Sequence, residues 1–263
     1  MPKNLLQLAI ETTGVSGSIA ILSANEVLNH HQLPSDQRTA SSLAPAVDNA
    51  IKWCGEQNLK LDFVSVATGP GSFTGLRIGV TTAKTLCYAT KLPLVAVDSL
   101  ASIAATVFAN RSEIESLIVG VNAFRGQVFK GEYHRNVLMD GELMPDESAV
   151  KLVDTPQWQS ILKSINDENK WCTGDAKVFK TIQPTNFVSR TIPDAVGVGL
   201  LGMQAAEKQH WCEPITLVPR YIKKSAAEEN SAEEKSAKEN SAKENSVKEN
   251  SVKENTVKEN TVQ

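Results

Sequence analysis

Residues 68–79 read Thr-Gly-Pro-Gly-Ser-Phe-Thr-Gly-Leu-Arg-Ile-Gly. The apolar run before them, 61–68, predicts a β-strand, and the spacing of apolar residues after them predicts a helix over 72–90. Gly69 and Gly71 permit a tight turn between the two, because glycine tolerates a positive φ and a close backbone approach. A strand, a glycine turn and a helix in this order indicate an α/β fold.

The same loop lacks two common nucleotide-binding patterns. No Gly-Lys-Ser/Thr follows the glycines, as a Walker A loop requires, and residues 68–79 do not match Gly-x-Gly-x-x-Gly. Ser72 or Thr74 can cap the helix, whose first amides favour an anion. The loop therefore predicts a helix start that suits an anion without specifying a nucleotide.

Three glycines of this stretch recur every four residues, at Gly71, Gly75 and Gly79. This spacing leaves one helix face bare of side chains, so another helix or strand can approach closely. The close neighbour is either an element of the same chain or a second subunit, and the pattern alone leaves both open.

A second loop with chemical potential follows the first apolar run and reads Glu11-Thr12-Thr13-Gly14. Together with the turn at Gly69, its hydroxyls and backbone amides could hold a phosphate or a hydrated metal. The alternative is an ordinary hairpin loop built from turn residues.

The pattern of apolar segments predicts two α/β lobes. Residues 1–105 predict the order βββαβαβα, and a strand at 117–121 with a hairpin partner at 127–133 begins the pattern again. Later segments predict a helix at 158–165, a strand near Trp171, a helix opening at 174–175 and a helix over 194–208. Two such lobes with mixed sheets, 1–105 and 106–224, are typical of the actin-like (ASKHA, ribonuclease H-like) fold.

The last 39 residues, 225–263, repeat a five-residue unit such as Ser-Val-Lys-Glu-Asn. Five matches neither the helical nor the strand period, and Ala and Val are its only apolar residues, so we expect a disordered tail. The tail holds 6 Lys and 9 Glu, which accounts for the whole net charge of −3. The neutral body lacks the basic excess of a stand-alone nucleic-acid binder.

Histidine and cysteine placement predicts no metal site. His30, His31, His134 and His210 do not recur at ligand spacing, and the four cysteines form no CxxC pair. Scattered cysteines in apolar segments are typical of free thiols in a reducing compartment. No apolar run approaches about 18 residues, so we expect a cytoplasmic protein without a membrane span.

Residues 8–13 and 68–79 closely resemble the TsaB (YeaZ) family, and weaker similarity extends through 93–100, 121–129 and 219–223. The resemblance covers about 1–224 and implies a two-lobed actin-like fold. It also implies a non-catalytic scaffold or activator of a TsaD-type transferase, which threonylcarbamoylates an adenosine next to the tRNA anticodon. The family is a paralogue of that transferase.

The resemblance implies a partner surface made by the helices around 39–55 and 72–90. This surface would pair with the TsaD-type transferase, or with a second copy in its absence, while a TsaE-type ATPase docks nearby and tRNA is met only through the complex. The residues that we assign to this surface are Gly71, Ser72, Phe73, Gly75, Arg77, Gly79, Leu43 and Val47.

The resemblance also implies that catalytic residues, metal and cofactor are absent. Ser99 and Ile103 stand where TsaD-type proteins have two metal-binding histidines, and isoleucine cannot coordinate a metal. The sequence departs from the family at Thr39, where histidine is usual, and at 122–124, where Asp-Ala-Arg is usual.

Two enzymatic hypotheses stand beside the scaffold. One is an actin-like ATPase or transferase with Glu11 and Thr12 near phosphates and Asp98 or Asp175 near a metal. The other is a metallopeptidase, which the shortage of histidine pairs disfavours.

Overall fold

A computed structural model describes residues 5–139, 149–165, 170–189 and 191–223. The expectations for 225–263 lie outside the described residues. The strands form two five-stranded sheets, and each sheet contains both parallel and antiparallel strand pairs.

The first sheet has the strand order β3-β2-β1-β4-β5. The first three strands form an antiparallel meander, and β4 and β5 continue parallel to β1. Strands β1 and β4 are buried throughout and β2 almost throughout, as expected of a sheet covered on both faces, whereas the edge strand β3 is largely exposed. The strands are β1 (Leu6–Glu11), β2 (Ser18–Ser23), β3 (Glu26–Gln32), β4 (Phe63–Gly69) and β5 (Leu94–Asp98).

Three helices belong to the connections of this sheet: α1 (Thr39–Glu56), α2 (Phe73–Thr90) and α3 (Ser99–Asn110). Pro45 lies inside α1 rather than in its first turn. Helices α1 and α2 cover one face of the sheet with apolar residues such as Leu43 and Val80, and α3 covers the other. The predicted order βββαβαβα is confirmed.

The second sheet has the order β8-β7-β6-β9-β10, which matches the first strand for strand. Its elements are β6 (Ser116–Asn122), β7 (Gln127–His134), α4 (Arg135–Met139), β8 (Val150–Asp154), α5 (Thr155–Lys163), β9 (Lys170–Gly174) and β10 (Phe187–Val188). A 3₁₀ turn, Ala176–Phe179, stands where the sequence predicts a helix after Gly174. The predicted class, two mixed-sheet α/β lobes, is confirmed.

The last helix, α6 (Ala195–Glu207), corrects the predicted boundary between the lobes. It packs beside α3 on the first sheet, although 106–224 was assigned to the second lobe. Gln7 Nε2 donates a 2.8 Å hydrogen bond to the Gly199 carbonyl, and the Ala195 amide donates one of 2.8 Å to Ser18 Oγ. Gly199 and Gly202 permit this approach, since a Cβ at Gly202 would lie 2.6 Å from Cβ of Ser65.

After α6 the chain continues along the first lobe. The Cys212 amide bonds the Leu94 carbonyl at 2.8 Å, Lys84 Nζ bonds the Leu217 carbonyl at 2.7 Å, and the Arg220 amide bonds the Thr68 carbonyl at 2.7 Å. Residues 212–220 therefore form a strap from the beginning of β5, along α2 and onto the end of β4.

Two expectations about cysteines and membranes can be compared with the described part of the chain. All four cysteines are free thiols, and Cys54, Cys87 and Cys172 are buried, as predicted. None of the described helices is both long and apolar enough to cross a bilayer.

Candidate functional site

The loop at the end of β1 and the glycine loop of α2 meet inside the first lobe. Thr12 Oγ1 donates a 2.8 Å hydrogen bond to the Gly75 carbonyl, and the Ser72 amide donates one of 2.9 Å to the Thr13 carbonyl. Thr12 and Thr13 are only 2% and 4% exposed. The two motifs that the sequence singles out therefore form one buried contact.

This contact corrects the predicted role of the glycines. A Cβ at Gly75 or Gly79 would collide with Thr12, and one at Gly71 would lie 2.8 Å from the Thr13 carbonyl oxygen. Gly75 and Gly79 are buried. The bare face of α2 is already covered by the chain's own β1 loop, so the assignment of Gly75 and Gly79 to a partner surface is wrong. Gly71 is half-buried against Thr13, and its assignment to that surface stays a prediction.

Glu11 fills the position where the β1 loop could have received a phosphate. Its side chain is fully buried, and Oε1 accepts the hydrogen bond of the Thr13 amide. Burial raises the pKa of Glu11 to about 7, and the nearby Asp194 carboxylate adds to that rise. The occupied Thr13 amide and the Asp194 carboxylate make this loop unfavourable for a phosphate, and Glu11 adds to the repulsion when it is ionised.

The remaining residues of the predicted phosphate loop do not converge on an open site. Gly14 lies in the hairpin turn, where a Cβ would be 3.6 Å from Pro193. The Gly69 amide donates a 3.1 Å hydrogen bond to Ser99 Oγ, and Gly69 has a φ of 119° beside the Arg220 carbonyl. Glu11, Thr12 and Thr13 are brought together, whereas Gly69 belongs to the junction of β4, α3 and the strap.

At that junction Asp98 joins three distant parts of the chain. Its Oδ1 caps α3 by accepting the Ala101 amide at 2.7 Å and also accepts the Tyr133 hydroxyl at 3.1 Å, while Oδ2 pairs with the Arg220 guanidinium. Burial raises the pKa of Asp98, although the charge of Arg220 opposes that rise. Sequence reasoning missed this node, because Tyr133 and Arg220 carry no local signal for Asp98.

The other residues weighed for metal chemistry are engaged or apolar. Ile103 is 1% exposed in the core, and Asp175 Oδ1 accepts the Lys177 amide at 2.9 Å at the start of the 3₁₀ turn. In the described part of the chain, no three His, Cys, Asp or Glu side chains are grouped closely enough to hold a metal ion.

The outer surface of the first lobe has an open groove of about 720 Å³ between α1 and α2. Small, apolar and threonine side chains form most of its wall, and Ile51 is 37% exposed there. Its lining residues are Ala40, Ala44, Val47, Asp48 and Ile51 of α1, with Arg77, Ile78, Thr81, Thr82, Thr85, Leu86 and Ala89 of α2. We call this surface the α1–α2 groove.

The other residues that the resemblance assigned to the partner surface divide between this groove and its surroundings. Val47 and Arg77 line the groove, but Leu43 is fully buried beneath it, which corrects its assignment to the surface. Ser72 Oγ accepts the Gly75 amide at 3.3 Å and caps α2. Phe73 packs at 4.6 Å from the ring of Tyr221, with the Arg77 guanidinium 4.1 Å from the centre of the Phe73 ring.

The two sheets share one strand order, and helix α3 packs in the apolar core that contains residues of both. This arrangement defines an α/β protein with two ribonuclease H-like lobes, and helices α1 and α2 line a groove on its outer surface. Residues 33–231 match the family model described as TsaD, tRNA N6-adenosine threonylcarbamoyltransferase. The chain is 33% identical over 224 residues to the tRNA threonylcarbamoyladenosine biosynthesis protein TsaB of Bacillus subtilis, covering 84% of this chain and 89% of that relative. The chain belongs to the TsaB (YeaZ) family.

A second relative and a solved structure are also similar to this chain. TsaB of Escherichia coli is 29% identical over 129 residues, which cover 49% of this chain and 55% of that protein. The solved structure of YeaZ from Pseudomonas aeruginosa superposes with a TM-score of 0.63 at 20% identity, covering 83% of this chain and all of that one. At this identity the structural match supports the fold alone.

Proposed function

We propose that this chain is a non-catalytic subunit that binds a TsaD-type transferase and supports threonylcarbamoyl modification of a tRNA adenosine. The relatives from Bacillus subtilis and Escherichia coli are named as biosynthesis proteins of this modification. The family model that matches residues 33–231 carries the transferase's description. This match is expected if the chain and its partner descend from a common ancestor and share one fold.

The observation that carries the proposal is the α1–α2 groove. It combines exposed Ile51 with the methyl groups of alanine and threonine on two adjacent helices, a surface on which the helices of another subunit can pack. The groove is rimmed by Asp48 and Arg77, which can fix the orientation of a partner. A TsaD-type transferase occupies it in the complex, and a second copy of this chain occupies it when the transferase is absent.

The absence of catalysis in this chain is part of the proposal. Ser99 and Ile103 replace the histidines of the transferase, Glu11 takes the amide of its own loop, and Arg220 neutralises Asp98. These contacts engage one carboxylate oxygen of Glu11 and both carboxylate oxygens of Asp98 within the chain. A TsaE-type ATPase, tRNA bound through the complex and a cytoplasmic location complete the proposed setting.

Size-exclusion chromatography with light scattering tests this function on the full chain, alone and mixed with the cognate TsaD-type transferase. We expect one complex with the mass of both proteins, and modification of tRNA that requires both. Separate elution of the two proteins together with full tRNA modification by the transferase alone would contradict the proposal.

A further inference from the structure

A second, smaller cavity lies on the opposite side of α1 from the α1–α2 groove. It has a volume of about 250 Å³ between α1 and the outer strands of the first sheet. Ala46, Asn49, Ala50 and Trp53 line it from α1 at spacings of three and four residues, so they form one stripe of the helix. This stripe lies on the side of α1 turned away from Val47 and Ile51.

The sheet provides the other wall of this cavity. Asn29 and His31 are two residues apart on β3 and therefore point to the same face. Ile19 of β2 pairs with His31 in the ladder and forms an apolar floor that is 1% exposed. Because the two alanines of α1 are short, they leave the space open between helix and sheet.

The polar side chains of the cavity have hydrogen-bonding capacity to spare. Within the described residues, no side chain or backbone group bonds to the side chains of Asn29, His31, Asn49 or Trp53; His31 and Asn49 are solvent-exposed, and Asn29 and Trp53 are half-buried. A carboxamide offers a donor and an acceptor side by side, which matches the edge of a purine base.

The aromatic side chain of Trp53 and the lack of charged lining residues further restrict the kinds of ligand that fit the cavity. Trp53 can stack on a planar heterocycle, an interaction that proteins use for unstacked bases. Among the described residues, no lysine, arginine, aspartate or glutamate lines the cavity. The lining therefore suits an uncharged ring and offers no cation for a phosphate.

We propose that this cavity is a binding site for a purine base, in which Trp53 stacks on the ring and Asn49 and Asn29 bond its edge. The base belongs either to a free nucleoside or to an unstacked nucleotide of RNA, since both present the same ring. The site shares no lining residue with the α1–α2 groove and does not depend on the proposed partner.

Isothermal calorimetry of the full chain tests the site with adenosine, ribose and a single-stranded hexa-adenylate. We expect saturable binding of adenosine, no binding of ribose, and quenching of tryptophan fluorescence that Trp53→Phe reduces. Asn49→Ala should weaken adenosine binding at least about fivefold, because a paired hydrogen-bonding group is lost. Asn29→Ala provides a second variant from the opposite wall.

Asn25→Ala is the matched control, since Asn25 is an exposed asparagine of the β2–β3 turn outside the cavity. Its affinity for adenosine should equal that of the wild type. Tighter binding of hexa-adenylate than of adenosine, lost in Asn49→Ala, would identify an RNA base as the ligand, and equal or weaker binding would identify a free nucleoside. No binding of adenosine or hexa-adenylate, ribose binding as tight as adenosine binding, or equal losses in Asn49→Ala and Asn25→Ala would overturn the proposal.

Discussion

Thr12 and Gly75 are joined by a 2.8 Å hydrogen bond from the threonine hydroxyl to the glycine carbonyl, 63 positions apart in the chain. The bond fixes the β1 loop against the first turns of α2. It explains why the regularly spaced glycines lie in the interior of one subunit. Substituting them should therefore lower the stability of the fold.

Gly75→Ala should destabilise the protein by about 1–3 kcal/mol or more, because its Cβ would overlap the Thr12 backbone in a packed interior. Urea unfolding measures the change. Gly55→Ala in α1 is the control, since its Cβ would meet no atom within 4 Å. That variant should gain about 0.5–1 kcal/mol from helix propensity. If Gly75→Ala left the stability unchanged but abolished partner binding, the glycines of α2 would belong to the interface after all.

Glu11→Gln should stabilise the protein above pH 7 and change its stability little at pH 4. The pKa of Glu11 is raised from 4.5 to about 7 in the fold, so the folded state binds more protons between these values. The free energy of unfolding therefore falls as pH rises through this window, and the loss is complete above about pH 7. Its size is on the order of 3 kcal/mol, at about 1.4 kcal/mol per pKa unit.

Unfolding of both proteins in urea at pH 4, 5, 6 and 8 checks this sign. The stability difference between Glu11→Gln and the wild type should grow with pH. Glu56→Gln, at an exposed position near the end of α1, is the control and should show no such growth. If the free energy of unfolding of the wild type instead rose with pH relative to that of Glu11→Gln, the ionised carboxylate would be stabilised in the fold.

Arg220→Met should cost about 3–5 kcal/mol, because it leaves the fully buried Asp98 carboxylate without its countercharge. The double variant Asp98→Asn/Arg220→Met should recover part of this loss, since the uncompensated charge is then gone. Arg38→Met, at an exposed arginine, provides the control. Additive losses in a double-mutant cycle would show that the two side chains are not coupled.

Ile51→Glu should weaken association with the TsaD-type transferase at least about tenfold, because it places a charge in the apolar α1–α2 groove. Val27→Glu on β3 is matched in exposure, at 40% against 37%, and lies outside the groove. It should co-elute with the transferase like the wild type. Equal behaviour of the two variants would place the interface elsewhere on the molecule.

The order of elements was predictable because the apolar segments of the first lobe are long and bounded by turn residues. The missed strands, β8 and β10, are short, and β8 carries charged Lys151 and Asp154 among its five residues. The 3₁₀ turn after Gly174 is equally short, so its apolar pattern resembles the start of a helix.

The site was predictable only in part, for a different reason. Glycines at 71, 75 and 79 indicate a close neighbour, but the sequence does not say that this neighbour is Thr12. The pair of Asp98 and Arg220 spans 122 positions and depends on the course of the strap after α6. Such long-range contacts follow from the tertiary fold and leave no periodic signal in the chain.

The return of α6 to the first sheet has a consequence for synthesis on the ribosome. The face of the first sheet that holds Ala9, Ala20 and Leu22 is buried in part by a helix encoded after the entire second lobe. The nascent first lobe therefore emerges with that apolar face incompletely covered and cannot finish folding until residues beyond 207 have left the exit tunnel. Any chain that stops before Ala195 exposes this face permanently and becomes a substrate for chaperones and proteases.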